Sequence, residues 1–97
     1  MNMRTTLAAI SLGLALAGAA KADCYADYKA KREPPLQLAY GVAQIPDGAC
    51  GSTADAASAL APRLAAAGWT LLKVVSLFGP DGLEERKASA GDQFLRY

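Results

Sequence analysis

The longest apolar run in the chain comes first: fourteen positions, Leu7 to Ala20, interrupted only by Ser11 and two glycines. Beyond it the hydrophobic positions recur with shorter periods. Residues 23–33 (DCYADYKAKRE) place Tyr25, Tyr28 and Arg32 at i, i+3, i+7 spacing, which predicts a short helical arm stopped by Pro34-Pro35. Residues 36–45 (LQLAYGVAQI) alternate instead, with Leu36, Leu38, Tyr40 and Val42 on one face, the pattern of a half-buried strand. Pro46-Asp47-Gly48 reads as a turn. Ser52 or Thr53 then caps a helix whose inward stripe is Ala57, Leu60, Ala61 and Leu64, with a kink or break expected at Pro62 and a left-handed end at Gly68.

Trp69 to Phe78 (WTLLKVVSLF) is apolar at odd and even positions alike, as expected of a central strand covered on both faces. Gly79-Pro80-Asp81-Gly82 is a turn, Leu83 to Gly91 a polar connection, and Gln93 to Tyr97 a short closing strand. A helix between the first two strands makes them parallel if they are neighbours, and the last two read as an antiparallel hairpin. The expected fold is α+β: a small three-stranded sheet with one main helix in the order β-α-β-β. A short N-terminal helical arm and a signal-peptide helix precede it. Residues 1–22 are a signal peptide, 23–35 an arm and 36–97 a βαββ domain.

The signal reading rests on Arg4, the short apolar run and Ala20-Lys21-Ala22, which place cleavage between Ala22 and Asp23. The run falls short of the ~20 apolar residues of a spanning helix, so no stable membrane span is expected after cleavage. Whether the signal is cleaved or kept as an anchor stays open at this point. Removing 22 of 97 residues leaves 75, with 8 basic and 9 acidic side chains, a net charge of −1. Such a balance offers no general attraction to nucleic acid. Lys29, Lys31 and Arg32 form a small basic cluster that reads as a solvated face. The expected location is the periplasm or the cell exterior, and an oxidising compartment suits a single bridge between Cys24 and Cys50.

Leu60 to Leu72 (LAPRLAAAGWTLL), followed by a strand and a closing Phe94-Leu95-Arg96-Tyr97, resembles a family of small bacterial βαββ domains of unknown function marked by a helix running into Gly-Trp-x-Leu. The likeness spans residues 36–97. Thr70 stands where that family usually carries Glu, and the cysteine-bearing N-terminal segment is additional. The resemblance implies the fold and brings no catalytic residue.

The chain has no histidine, which removes the commonest general base and transition-metal ligand. Glu84 and Glu85 are adjacent and cannot face each other across a cleft, as two-carboxylate hydrolysis requires. Ser52, Ser58, Ser76 and Ser89 lack an imidazole partner, and nothing in the spacing brings Lys73 or Lys87 to one of them. Asp81, Glu84 and Glu85 do not form a calcium-loop pattern. No catalytic, cofactor-binding or metal-binding residue is therefore expected, and the protein is read as a non-enzymatic binding or protein-interaction module. The alternatives are a hydrolytic or accessory protein with an unrecognised carboxylate or Ser-Lys site, and an inhibitor presenting Gly79–Gly91 to a secreted enzyme. One helix covers one face of a sheet, so the other face is where a second copy or another exported protein would bind. Trp69, Lys73 and Phe78 are its candidate residues.

Overall fold

The computed structural model describes residues 23–97; the signal segment and its junction at Ala22 lie outside the described residues. The sheet has three strands, β1 (Cys24–Arg32), β2 (Gln37–Ile45) and β3 (Thr70–Phe78), in the spatial order β2-β1-β3. Both pairings are antiparallel. The main helix α1 (Thr53–Ala66) joins β2 to β3, and a short helix α2 (Glu84–Ala90) follows β3. The α+β class, the three-stranded sheet and the single main helix are those expected from the sequence. The third strand, however, is the segment expected as a helical arm.

Alternation explains why residues 24–32 form a strand. Ala26, Tyr28 and Ala30 are buried on the side facing α1, while Tyr25, Asp27, Lys29 and Lys31 occupy the opposite side. Alanine and lysine favour helices, but two flanking strands supply β1 with hydrogen bonds that no isolated helix of nine residues could match. Strands β2 and β3 do run parallel to each other, but β1 lies between them.

The core is an alanine floor with larger side chains laid on it. Ala26, Ala30 and Ala43 leave depth for Leu60 and Leu64 of α1, both fully buried, and Ala56 completes the helical stripe one turn earlier. Tyr28 lies across Gly41, its partner on β2, so closely that a Cβ at Gly41 would collide with the phenol ring. Ser52 caps α1 by accepting from the Asp55 N–H at 3.0 Å. The helix continues through Pro62 without a break. Its end is a reverse turn in which Gly68, at φ 88°, donates to the Ala65 carbonyl and Trp69 to that of Leu64. That geometry turns the Trp69 indole into the core, where it is 5% exposed.

Strand β3 is an edge strand, not a central one. Its register against β1 slips twice: Asp27 and Tyr28 oppose Ser76 and Val74, and Lys29 and Ala30 oppose Lys73 and Leu71. Val75 and Leu72 are the residues passed over, each the extra residue of a bulge. The helix-facing positions of β3 are consequently Leu71, Val74 and Leu77, a spacing of three that fills both parities of the sequence with apolar residues. Val75 and Leu72 themselves are 42% and 50% exposed.

The end of the chain also departs from expectation. Leu83–Gly91 is not a polar connection, because Glu84–Ala90 is helical. Gln93–Tyr97 is not a strand: Phe94 makes a single parallel bridge to Val42, and the Leu95 N–H donates to the Val42 carbonyl at 2.8 Å. Arg63 holds the segment that follows, donating to the carbonyls of Tyr97 and Gln44. The Trp69 indole donates to the Tyr97 hydroxyl at 3.2 Å.

Cys24 and Cys50 form the expected bridge, with Cα atoms 6.4 Å apart. It ties the start of β1 to the loop before α1 across a sequence separation of 26. Closing a loop of that length removes about 3.5 kcal/mol of unfolded-chain entropy. Reduction is expected to lower stability by roughly 2–4 kcal/mol, read as a drop in the thermal midpoint with reductant, and alkylation without reduction should label neither cysteine. Gly41→Ala is expected to cost about 1–3 kcal/mol through overpacking against Tyr28. Gly48→Ala, which meets no atom within 4 Å, should be neutral or slightly stabilising, both variants being compared with the wild type by denaturant titration.

Candidate functional site

The sheet face turned away from α1 is built in four rows across the strands. Tyr25 lies between Gln44 and Phe78, Asp27 between Val42 and Ser76, Lys29 between Tyr40 and Lys73, and Lys31 between Leu38 and Thr70. The first two rows are roofed by α2 and the segment after it. There Tyr25, Val42 and Ala90 are buried together, with Phe78, Leu83 and Phe94 packed around them. Tyr25 stacks on Phe78 with centroids 6.1 Å apart.

Asp27 is the one charged side chain buried among the described residues, at 5% exposure. It accepts from the Ser76 hydroxyl at 2.7 Å, the Tyr40 hydroxyl at 2.8 Å and Arg86 Nε at 3.2 Å. Burial alone would raise its pKa; the three donors and the guanidinium charge outweigh burial and hold it below the ordinary carboxylate value. Tyr40 moves the other way, pushed up to about 12 by burial and by its bond to Asp27. Arg86 also lies 3.9 Å over the Phe78 ring and donates to the Gly82 carbonyl and to Glu85. One arginine thus clamps α2 to the sheet. A helix of seven residues has little stability of its own, so its position depends on that clamp and on Ala90.

The Asp27 carboxylate, held ionised by a guanidinium, is a poor base for the Ser76 hydroxyl it accepts from. Glu85 pairs with Arg86 on the exposed side of α2. Among the described residues no group of three His, Cys, Asp or Glu side chains is placed to hold a metal. The segment Gly79–Gly91, considered above as an inhibitory loop, comprises a tight helical turn at Pro80–Gly82 and the helix α2, which Arg86 anchors to the sheet.

The third and fourth rows lie beyond the roof. Leu38 is 71% exposed and Leu72 50% exposed. Together with Lys29 and Tyr40 they line a shallow groove of about 280 Å³. Lys29 and Lys73 sit directly opposite one another, a like-charge pair that raises the local positive potential. Of the three side chains expected to form an interaction surface, Lys73 is on this open face. Phe78 is half-buried beneath Arg86, and Trp69 is on the other side of the sheet, drawn into the core by the turn at Gly68. Leu38, Leu72 and Lys29 were not among the expected residues. Only the alternation through Leu36, Leu38 and Tyr40 hinted at one of them.

The chain matches no family model, no curated protein and no solved structure. No helix of the described residues is long and apolar enough to cross a membrane.

The Asp27 cluster makes a pH prediction. Asp27 has a folded pKa below its unfolded value, so its contribution is complete above about pH 4 and is lost as pH falls through the folded pKa. Acid titration of unfolding should therefore show a steeper loss for the wild type than for Asp27→Asn below that pH. At neutral pH the substitution is expected to cost about 1.5–3 kcal/mol, the range for hydrogen bonds to a charged group.

Proposed function

We propose that this chain is an exported domain, released by cleavage between Ala22 and Asp23, that acts in the periplasm or outside the cell as a non-enzymatic binding module. The Cys24–Cys50 bridge supports an oxidising compartment. The helix that runs into Gly68-Trp69 supports the likeness to small bacterial βαββ domains, which carries no activity with it.

The observation that carries the binding reading is the unroofed half of the second sheet face. Leu38 and Leu72 are exposed around a groove on a rigid sheet, flanked by Lys29 and Lys73. A contiguous apolar patch rimmed by charge marks an association site more often than isolated exposed leucines do. The partner complementary to it is apolar at its centre and acidic at its rim.

Capture of exported proteins on the immobilised domain tests this, alongside sedimentation of the domain itself. Leu72→Glu and Lys73→Glu should each weaken the association at least tenfold, through a buried charge in the first case and rim repulsion in the second. Both positions are exposed, so the thermal midpoint should move by no more than about 4 °C, the effect of a surface change within ±0.5 kcal/mol. A wild type that remains monomeric and retains nothing, or retention unaffected by both substitutions, rejects the reading.

A further inference from the structure

The two edges of the sheet are not equivalent. On β3 the two bulges and Lys73 are devices that discourage another strand from pairing. On β2 the register to β1 is regular from Cys24–Ile45 to Arg32–Gln37, with no bulge. The Val42 carbonyl points away from β1, since it accepts from the Leu95 N–H. By alternation, the N–H and C=O groups of Tyr40 and Leu38 point outward too. The chain reaches this edge only at Val42, through Phe94 and Leu95, and Leu95 at φ 55° turns it away again. Among the described residues nothing pairs with Tyr40 or Leu38 on that side.

Beside this stretch lies a groove of about 560 Å³ with Trp69 and Ala90 among its walls and Arg32 as its single charged residue. Arg32 stacks 4.2 Å from the Trp69 ring centroid and donates to the Gln37 side chain at 2.9 Å. Among the described residues it makes no ion pair. A guanidinium oriented on an aromatic ring, with its charge uncompensated, is suited to a carboxylate.

We propose that the edge Gln37–Tyr40 binds the C-terminal segment of a partner protein as an added antiparallel strand, with the terminal carboxylate on Arg32. The free stretch is four residues, about 13 Å long at 3.3 Å per residue. Gln93 and Phe94 stand at the Val42 end, so a bound segment turns away from the sheet there. An antiparallel strand runs from that end to the start of β2, where its carboxyl terminus meets Arg32. Backbone pairing with a captured carboxylate is an established way of reading chain termini. The inference rests on the binding-module reading and uses the β2 edge, which adjoins the open face at Leu38 and Tyr40.

The test uses the protein on two peptide arrays, tethered by their N-termini and randomised over the last four positions, one ending in free carboxylates and the other amidated. Binding is expected on the free-carboxylate array and at least tenfold weaker on the amidated one. Arg32→Gln should abolish it, as should Leu38→Pro, which removes an outward N–H without touching the pairing to β1. Lys73→Glu should leave it unchanged. No binding to either array, equal binding to both, or binding indifferent to Leu38→Pro and Arg32→Gln overturns the proposal. So does a dimer through β2 in sedimentation that Leu38→Pro abolishes, which would make a second copy the occupant. A failure confined to the arrays, with partner capture still sensitive to Leu72→Glu, separates this inference from the reading it rests on.

Discussion

Because β1 lies between β2 and β3, every hydrogen bond between strands of the sheet is made by β1. Its nine residues therefore meet three demands at once. Ala26, Tyr28 and Ala30 must be low enough on one face to admit Leu60 and Leu64, and Tyr25 and Asp27 must seat α2 on the other. Cys24 must lie where Cys50 reaches it. The bridge makes the first of these demands easier to meet. It holds the start of β1 to the loop before α1, which limits how far strand and helix can separate in the unfolded chain. For a domain near the lower size limit of a single core, such a covalent tie takes the place of buried area that the chain does not have.

Where the sequence was legible, a single local signal agreed with the tertiary structure. The alternation of residues 36–45 is β2, Ser52 and Gly68 bound α1, and the two cysteines could pair in only one way. Where it was not, two signals conflicted. Residues 23–33 carry helix-favouring alanines and lysines, and their strand periodicity is written in alanine, which hydrophobic patterning weighs lightly. Trp69–Phe78 is apolar at both parities, and a chain with two bulges has the same signature as a central strand. The helix Glu84–Ala90 was hidden because its inward residues are Leu83, Arg86 and Ala90, with an arginine where an apolar residue would have completed the stripe. The open groove escaped notice for the same reason: Leu38, Leu72 and Lys29 come from three strands, and only the sheet order brings them together.

The sheet is thus asymmetric in both directions. One face is closed by a long helix and the other is half closed by a short one. One edge is bulged and bears a lysine, while the other is regular and ends in a groove with an unpaired guanidinium. Edge strands with regular, open hydrogen-bonding groups are a hazard that proteins tend to suppress, and this chain suppresses it on β3 and along the upper part of β2. What is left uncovered is therefore confined to one corner of the domain, around Leu38, where the open face and the open edge meet.

Charge sets where that corner begins. The second row of the open face holds the carboxylate of Asp27, which accepts Arg86 and draws α2 over it. The third row holds Lys29 and Lys73 and the fourth Lys31, itself paired to Glu33 at 3.0 Å. Arg86 gains by reaching the second row and would lose by reaching the third, where two ammonium groups already oppose each other. The roof stops where the sign of the face changes. The leucines beside those lysines remain in solvent because the arginine that anchors the roof is held one row away, at Asp27. A partner with the opposite charge meets no such barrier.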